Sequence, residues 1–205
     1  MITKEEHILL HAEKLFAEKG FEGSSTREIS KKAKVNVSMI SYYFGSKEKL
    51  FVKIFEVRMT ESLKYSEDVF ANQNLNEWEK LVIIIDRYID RVKNLKTFYR
   101  ILQREQLNSK NPDIAEFLKK SKKGFLAIYT ELFDKGFEKK LFHKRPRIEF
   151  VHSTVSGTVF TALNTLPVYK EFFQGDENYE DIYFDEIKIH IHNILKHLLG
   201  YEENI

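Results

Sequence analysis

The chain has no cysteine, and only three prolines and eight glycines in 205 residues. Without cysteine there is no disulfide, no thiolate metal ligand and no thiol nucleophile, which suits a reducing compartment. Few prolines and glycines leave little to interrupt helices, so a mostly helical chain is expected. No apolar run reaches the roughly eighteen residues of a membrane-spanning helix. The opening Met-Ile-Thr-Lys-Glu-Glu has no signal-peptide pattern, so the expectation is a soluble, cytoplasmic chain with no membrane partner. Charge of either sign is nearly balanced, with 33 basic and 31 acidic residues. The length allows one domain or two small ones with a real core. There is no internal repeat, low-complexity segment or flexible linker.

Catalytic chemistry is equally scarce. There is no phosphate-binding glycine loop, nucleophile elbow or zinc-protease motif. The acidic residues are spread like solvated faces, and no general acid–base pair stands out. Among seven histidines, His190 and His192 diverge on a helix, and His190 and His197 lie two turns apart. His7 and His11, four apart, have a workable ligand spacing but no third ligand nearby in sequence. They read as solvent-facing histidines. No catalytic residue, metal or cofactor is expected, and the chain is not read as an enzyme.

What is present is concentrated between Ser25 and Leu50. Ser25 with Glu28 forms a capping box that opens a helix, with Ile29 and Ala33 on its inner face. A turn at Lys34-Val35 follows, with Val35 as a buried hinge, and Asn36 caps a second helix over about Val37 to Phe44. Ile40 and Phe44 face inward there. Val37, Ser38, Met39, Ser41 and Tyr42 point away. In a helix-turn-helix, such an outward set enters the major groove of DNA. Ser38 and Ser41 can hydrogen-bond to bases, and Val37 and Met39 can touch thymine methyls. The hydroxyls of Tyr42 and Tyr43 can reach phosphates. Ser46 begins another helix with Lys47 in its first turn. A lysine there opposes the helix dipole unless an anion sits at that end.

Charge follows the same division. From Thr26 to Lys49 there are six basic residues (Arg27, Lys31, Lys32, Lys34, Lys47, Lys49) against Glu28 and Glu48, a net of +4. Residues 51 to 205 carry 24 of each sign. The positive excess lies where phosphate contact is expected.

The N-terminal third resembles the TetR family of bacterial transcriptional regulators over about residues 5 to 52. The matching features are Glu-Lys-Gly-Phe (Glu18 to Phe21), Ser-Ser-Thr-x-x-Ile-Ser, Ala-x-Val, Ile-x-x-Tyr-Phe and Ser-Lys-Glu-x-Leu. The run from Tyr42 to Leu50 is the most specific. The resemblance implies DNA contacts by Thr26, Arg27, Tyr42, Tyr43 and Lys47. Two positions depart from the family: Lys34 stands where glycine is usual, and Ser41 where an aromatic is common. A non-glycine residue in a left-handed turn is uncommon, so the turn is expected to be adjusted or mildly strained.

Helical patterns fill the rest of the chain. A capping box at Thr3 and Glu6 opens a first helix that stops at Gly20. A long helix runs from Ser46 to about Phe70, with Leu50, Ile54 and Val57 on one face. Asn76 opens another, carrying Leu81, Ile84, Ile85, Tyr88 and Val92. A shorter helix spans Phe98 to Leu107, and Asn111-Pro112 starts one with the stripe Phe117, Ser121, Phe125, Ile128, Tyr129 and Leu132. Pro146 opens a helix running to Pro167, with the small residues Ser153, Ser156, Gly157, Thr161 and Ala162. An acidic stretch at 175–186 leads into a last helix over about Ile182 to Leu199. The resemblance implies that the last two long helices pair with those of a second subunit. The alternative is that they pack only within one chain. A dimer would present two DNA-reading helices to two half-sites.

Seventeen Phe and ten Tyr are many for this length. Tyr88, Phe98, Tyr99, Phe125, Tyr129, Phe133 and Phe160 lie on helices that could line a small-molecule cavity. The resemblance implies an unknown small-molecule effector; ordinary core packing is the alternative for each ring. Arg100, Arg104 and Glu105 could orient a polar ligand or form exposed ion pairs. The whole is expected to be all-α, with a helix-turn-helix DNA-binding domain at 1–46 and a helical effector-binding and dimerisation domain at 47–205. Its expected partner is double-stranded DNA and its expected function repression relieved by an effector. The competing reading is an all-helical ligand-binding or interaction module that does not read DNA.

Overall fold

The structure, a computed structural model, describes residues 2–108, 111–173 and 177–202. Among the described residues regular structure is entirely helical, as expected. The elements are α1 (Lys4–Lys19), α2 (Thr26–Ala33), α3 (Val37–Phe44), α4 (Lys47–Ala71), α5 (Glu77–Asn94), α6 (Lys96–Asn108), α7 (Pro112–Glu138), α8 (Ile148–Tyr169), a short 3-10 turn (Lys170–Phe173) and α9 (Tyr179–Leu199). Several helices begin where polar side chains satisfy the first free amides, although α8 and α9 have no side-chain cap. Thr3 and Glu6 close a capping box on α1. Asn76 and Glu79 exchange side chain and backbone bonds at α5. The Asn111 side chain accepts from the amides of Asp113 and Ile114 at α7.

Contacts group the chain into two compact units: Met1–Glu61 with Leu95–Ser121, and Ser62–Asn94 with Lys122–Ile205. This grouping does not coincide with a cut between residues 46 and 47. In the first unit, Ile8, Leu15 and Phe16 of α1, Ile29 of α2 and Ile40 of α3 are buried together with Leu50, Phe51, Ile54 and Phe55 of α4. Phe16 and Phe21 both lie against Phe51, which meets Phe55, which meets Phe98 of α6. This run of rings draws the start of α4 and all of α6 into the N-terminal unit. Val57, expected on the inner face of α4, is instead 42% exposed. Phe98 and Tyr99, expected at a cavity wall, are also corrected. Phe98 is 1% exposed and packed on Phe55, and Tyr99 is buried beside it.

In the second unit, Leu81, Ile84, Ile85, Ile89 and Val92 of α5 are buried, as are Val151, Val155, Val159 and Leu163 of α8, and Phe184, Ile191 and Leu195 of α9. α8 includes Pro167 and ends two residues beyond it, at Tyr169. α9 starts at Tyr179, earlier than the expected Ile182. Residues 175 and 176 of the acidic stretch lie outside the described residues. On α7 the buried positions are Ile114, Leu118 and Leu132. Phe117, Ser121, Phe125, Ile128 and Tyr129 are only half-buried, so the inner stripe is rotated from the expected one. Gly136 in α7 has a packing reason. A side-chain carbon there would stand 2.3 Å from the Phe142 ring, which folds back as the Leu141 and Phe142 amides donate to the Gly136 carbonyl.

Burial, with the Lys122 ammonium adding to it, holds the His152 imidazole below its ordinary value of 6.5. Burial and neighbouring cations, His7 first, lower His11 in the same direction. The unfolded chain therefore takes up these protons before the folded chain does. Stability present above about pH 6.5 is lost as pH falls below it. The urea midpoint is expected to drop between about pH 7.5 and 5.5, and His152→Gln to flatten part of that drop; an unchanged pH dependence in the variant contradicts the assignment.

Candidate nucleic-acid interface

α2 and α3 are each eight residues long, and local bonds define both ends of each. The Ser25 hydroxyl accepts from the Glu28 amide, and the Glu28 carboxylate accepts from the Ser25 amide. Lys19 meets the same carboxylate at 2.7 Å. The Lys19 bond, then those from Ser25, hold the Glu28 carboxyl below its ordinary value. α2 stops at Lys34, which is left-handed with φ 51° and ψ 45°. The turn therefore keeps the left-handed backbone that suits glycine rather than adjusting away from it, and the lysine carries the mild strain. The Lys34 amide donates to Lys31 and Ser30 carbonyls, and the Val35 amide returns to Ser30. Val35 itself is half-buried rather than fully buried. His7 is not solvent-facing as expected: its Nε2 donates to the Ala33 carbonyl at 2.9 Å, bracing the end of α2 from α1.

Asn36 caps α3. Its Oδ1 accepts from both the amide and the hydroxyl of Ser38, each at 2.9 Å. With its proton given to Asn36, the exposed Ser38 Oγ is left as an acceptor. Ile40 and Phe44 are buried, and Gly45, at φ 79°, ends the helix. The opposite edge is open. Ser38 and Ser41 are exposed, as are Val37 (42%), Tyr43 (36%) and Tyr42 (83%). Met39 is half-buried and contributes less surface than expected. On α2, Thr26 is half-buried and Arg27 is exposed.

The basic residues divide into two groups. Lys32 is paired with Glu18 at 2.6 Å. Lys47 turns inward: its Nζ donates to the carbonyls of Phe21 and Ser24, each at 3.1 Å, and lies 4.1 Å from the centre of the Phe21 ring. Two of its three N–H groups are thus directed at the α1–α2 connection. Arg27, Lys31, Lys34 and Lys49 are exposed. An uncharged, hydroxyl-bearing helix edge is therefore flanked by exposed cations, an arrangement able to read base edges and grip phosphates.

Residues 8–54 match the family described as bacterial regulatory proteins, tetR family. Over that segment, which runs from α1 to the start of α4, the chain matches the TetR family. It is 51% identical over 51 residues to the HTH-type transcriptional repressor NicS of Pseudomonas putida, a match spanning 25% of this chain and 24% of that one. It is 26% identical over 203 residues to the "Probable HTH-type transcriptional regulator YttP" of Bacillus subtilis, covering 95% of each. The structure of FadR from Bacillus subtilis in complex with stearoyl-CoA superposes with a TM-score of 0.71 at 18% identity, covering 96% of this chain and 99% of that one. The helix-turn-helix segment of this chain is thus similar to those of HTH-type transcriptional regulators, and the whole chain shares the fold of FadR. Among the described residues no group of three or more His, Asp and Glu could hold a metal ion. No described helix is long and apolar enough to cross a membrane.

Replacing the left-handed lysine tests the turn. Left-handed backbone costs a non-glycine residue roughly 1–2 kcal/mol, against about 0.5–1 kcal/mol of extra chain entropy lost by glycine. Lys34→Gly should raise stability by up to about 1 kcal/mol in urea unfolding. A loss of stability would show that the lysine is held in that turn by contacts beyond the backbone.

Proposed function

We propose that this regulator is a dimeric repressor that binds a two-fold operator through α3 and is released by a small-molecule effector. The observation that carries the reading is the open edge of α3, with Ser38, Ser41, Tyr42 and Tyr43 exposed and Arg27, Lys31 and Lys34 beside it on α2 and the turn. In this reading Val37, Ser38, Met39 and Ser41 meet base edges. Thr26, Arg27, Tyr42 and Tyr43 meet phosphates, together with the side-chain amide N–H groups of Asn36 and the third N–H of Lys47.

A homodimer through α8 and α9 is supported by an outward stripe on α8. Phe150, Ser153, Gly157, Thr161, Asn164 and Val168 recur every three or four residues, all exposed and none charged. A side-chain carbon at Gly157 would meet nothing within 4 Å. An uncharged small-residue face open to water suits close approach of another helix. An effector is supported by five half-buried rings of the second unit, Tyr88, Phe125, Tyr129, Phe133 and Phe160. The FadR structure named above holds stearoyl-CoA, and here an effector would act as a population shift, favouring a dimer that fits DNA poorly.

Selection from a random duplex pool, followed by salt titration, tests the reading. The expected result is a palindromic site whose affinity falls steeply with salt, by about 0.9 log units per phosphate contact per log unit of salt. Tyr42→Phe should weaken all duplexes alike, whereas Ser38→Ala should change the preferred base by roughly 1–3 kcal/mol of discrimination. Absent or salt-insensitive binding across the pool would favour the ligand-binding module that reads no DNA.

A further inference from the structure

The geometry points to Arg104 of α6 as a positioning residue for DNA recognition: its guanidinium caps the C-terminal end of α1 and thereby sets the connection that carries α2 and α3. The inference rests on the DNA-binding reading above. Arg104 Nη2 donates to the Phe16 carbonyl at 2.8 Å. Its Nη1 lies beside Gly20, 3.7 Å from where a side-chain carbon would stand. Phe16 O already accepts from the Gly20 amide at 2.9 Å, so Arg104 occupies the second lone pair of a terminal helix carbonyl. That carbonyl lies at the negative end of the α1 dipole, where a cation is favoured. The guanidinium is therefore neither an idle surface charge nor a ligand hook, although its Nε also has Glu105 at 3.8 Å.

From Phe16 the bonds run without a break to the DNA-reading pair. Gly20, at a positive φ of 77° with ψ 172°, ends α1. Its carbonyl accepts from the Ser24 hydroxyl at 2.7 Å. The carbonyls of Phe21 and Ser24 accept from Lys47 of α4. Ser25 then caps α2, and the Val35 amide bonds back to Ser30 to fix the turn into α3. Two cations from later helices thus reach this region, Lys47 of α4 on the α1–α2 connection and Arg104 of α6 on the end of α1, beside the direct α1–α2 bonds of Lys19 to Glu28, Lys32 to Glu18 and His7 to Ala33. The aromatic contacts behind it, Phe21 on Phe16 and Phe51, do not fix direction as a charged hydrogen bond does. Removing the Arg104 bond leaves the core in place and loosens the angle at which α1 delivers α2.

The test uses the full chain and the duplex that the wild type selects from a random pool. Arg104→Gln should weaken binding to that duplex about tenfold or more. The slope of affinity against salt should be unchanged, because no phosphate contact is lost. Arg104→Lys, which keeps a cationic donor, should recover most of the affinity, and serves as the informative variant if the glutamine does not fold. Hydrogen exchange in the free chain should speed up at the Gly20 amide in Arg104→Gln. Wild-type affinity in Arg104→Gln overturns the proposal. So does a slope reduced by about one phosphate, which would place Arg104 on the DNA itself. A loss that lysine does not reduce also overturns it. Should the wild type select no duplex, the DNA-binding reading fails, while exchange at Gly20 still decides whether Arg104 holds the connection.

Discussion

Two eight-residue helices cannot hold themselves in water, and the rest of the DNA-reading unit follows from that constraint. Isolated helices shorter than about twelve to fifteen residues are marginal even in favourable sequences. α2 and α3 persist because their ends are closed by side chains and their inner faces are buried. Ser25, Glu28 and Asn36 supply caps; Ile29, Ala33, Ile40 and Phe44 supply the buried faces. The outer face contributes little to folding and is left free for contact. That division explains why Ser41 and Tyr42, poor choices for stabilising a core, occupy the exposed side of so short a helix.

Cations serve two different ends in this small region. Lys47 and Arg104 are turned inward onto carbonyls that end α1 or connect it to α2, and Lys32 is neutralised by Glu18. Such bonds stiffen the backbone. Arg27, Lys31, Lys34 and Lys49 remain on the surface, where their long-range attraction for a polyanion is spent on association rather than on folding.

The helix-turn-helix was readable because its determinants are local. A capping box needs only residues three apart, and the pairs Ile29–Ala33 and Ile40–Phe44 each share one helical face. Even the left-handed Lys34 was visible as a departure from glycine. What the sequence hid depends on distant residues. Nothing in the neighbourhood of Arg104 announces a carbonyl 88 positions away, and His7 gave no hint of its bond to Ala33. The same reason moved Phe98 and Tyr99 from an imagined cavity wall into a core: ring content marks apolar surface but not which rings meet. On α7 the apolar residues are numerous enough to support more than one stripe, and only packing selected Ile114, Leu118 and Leu132.

The central claim is that the edge of α3 bearing Ser38 and Tyr42 lies in the major groove. Dimethyl sulfate footprinting on the selected duplex addresses it directly, because the reagent attacks guanine N7 in the major groove and adenine N3 in the minor groove. The account predicts protection of guanine N7 in two symmetric patches, with adenine N3 at the same base pairs still reactive. Protection confined to adenine N3 would place the protein in the other groove and contradict it.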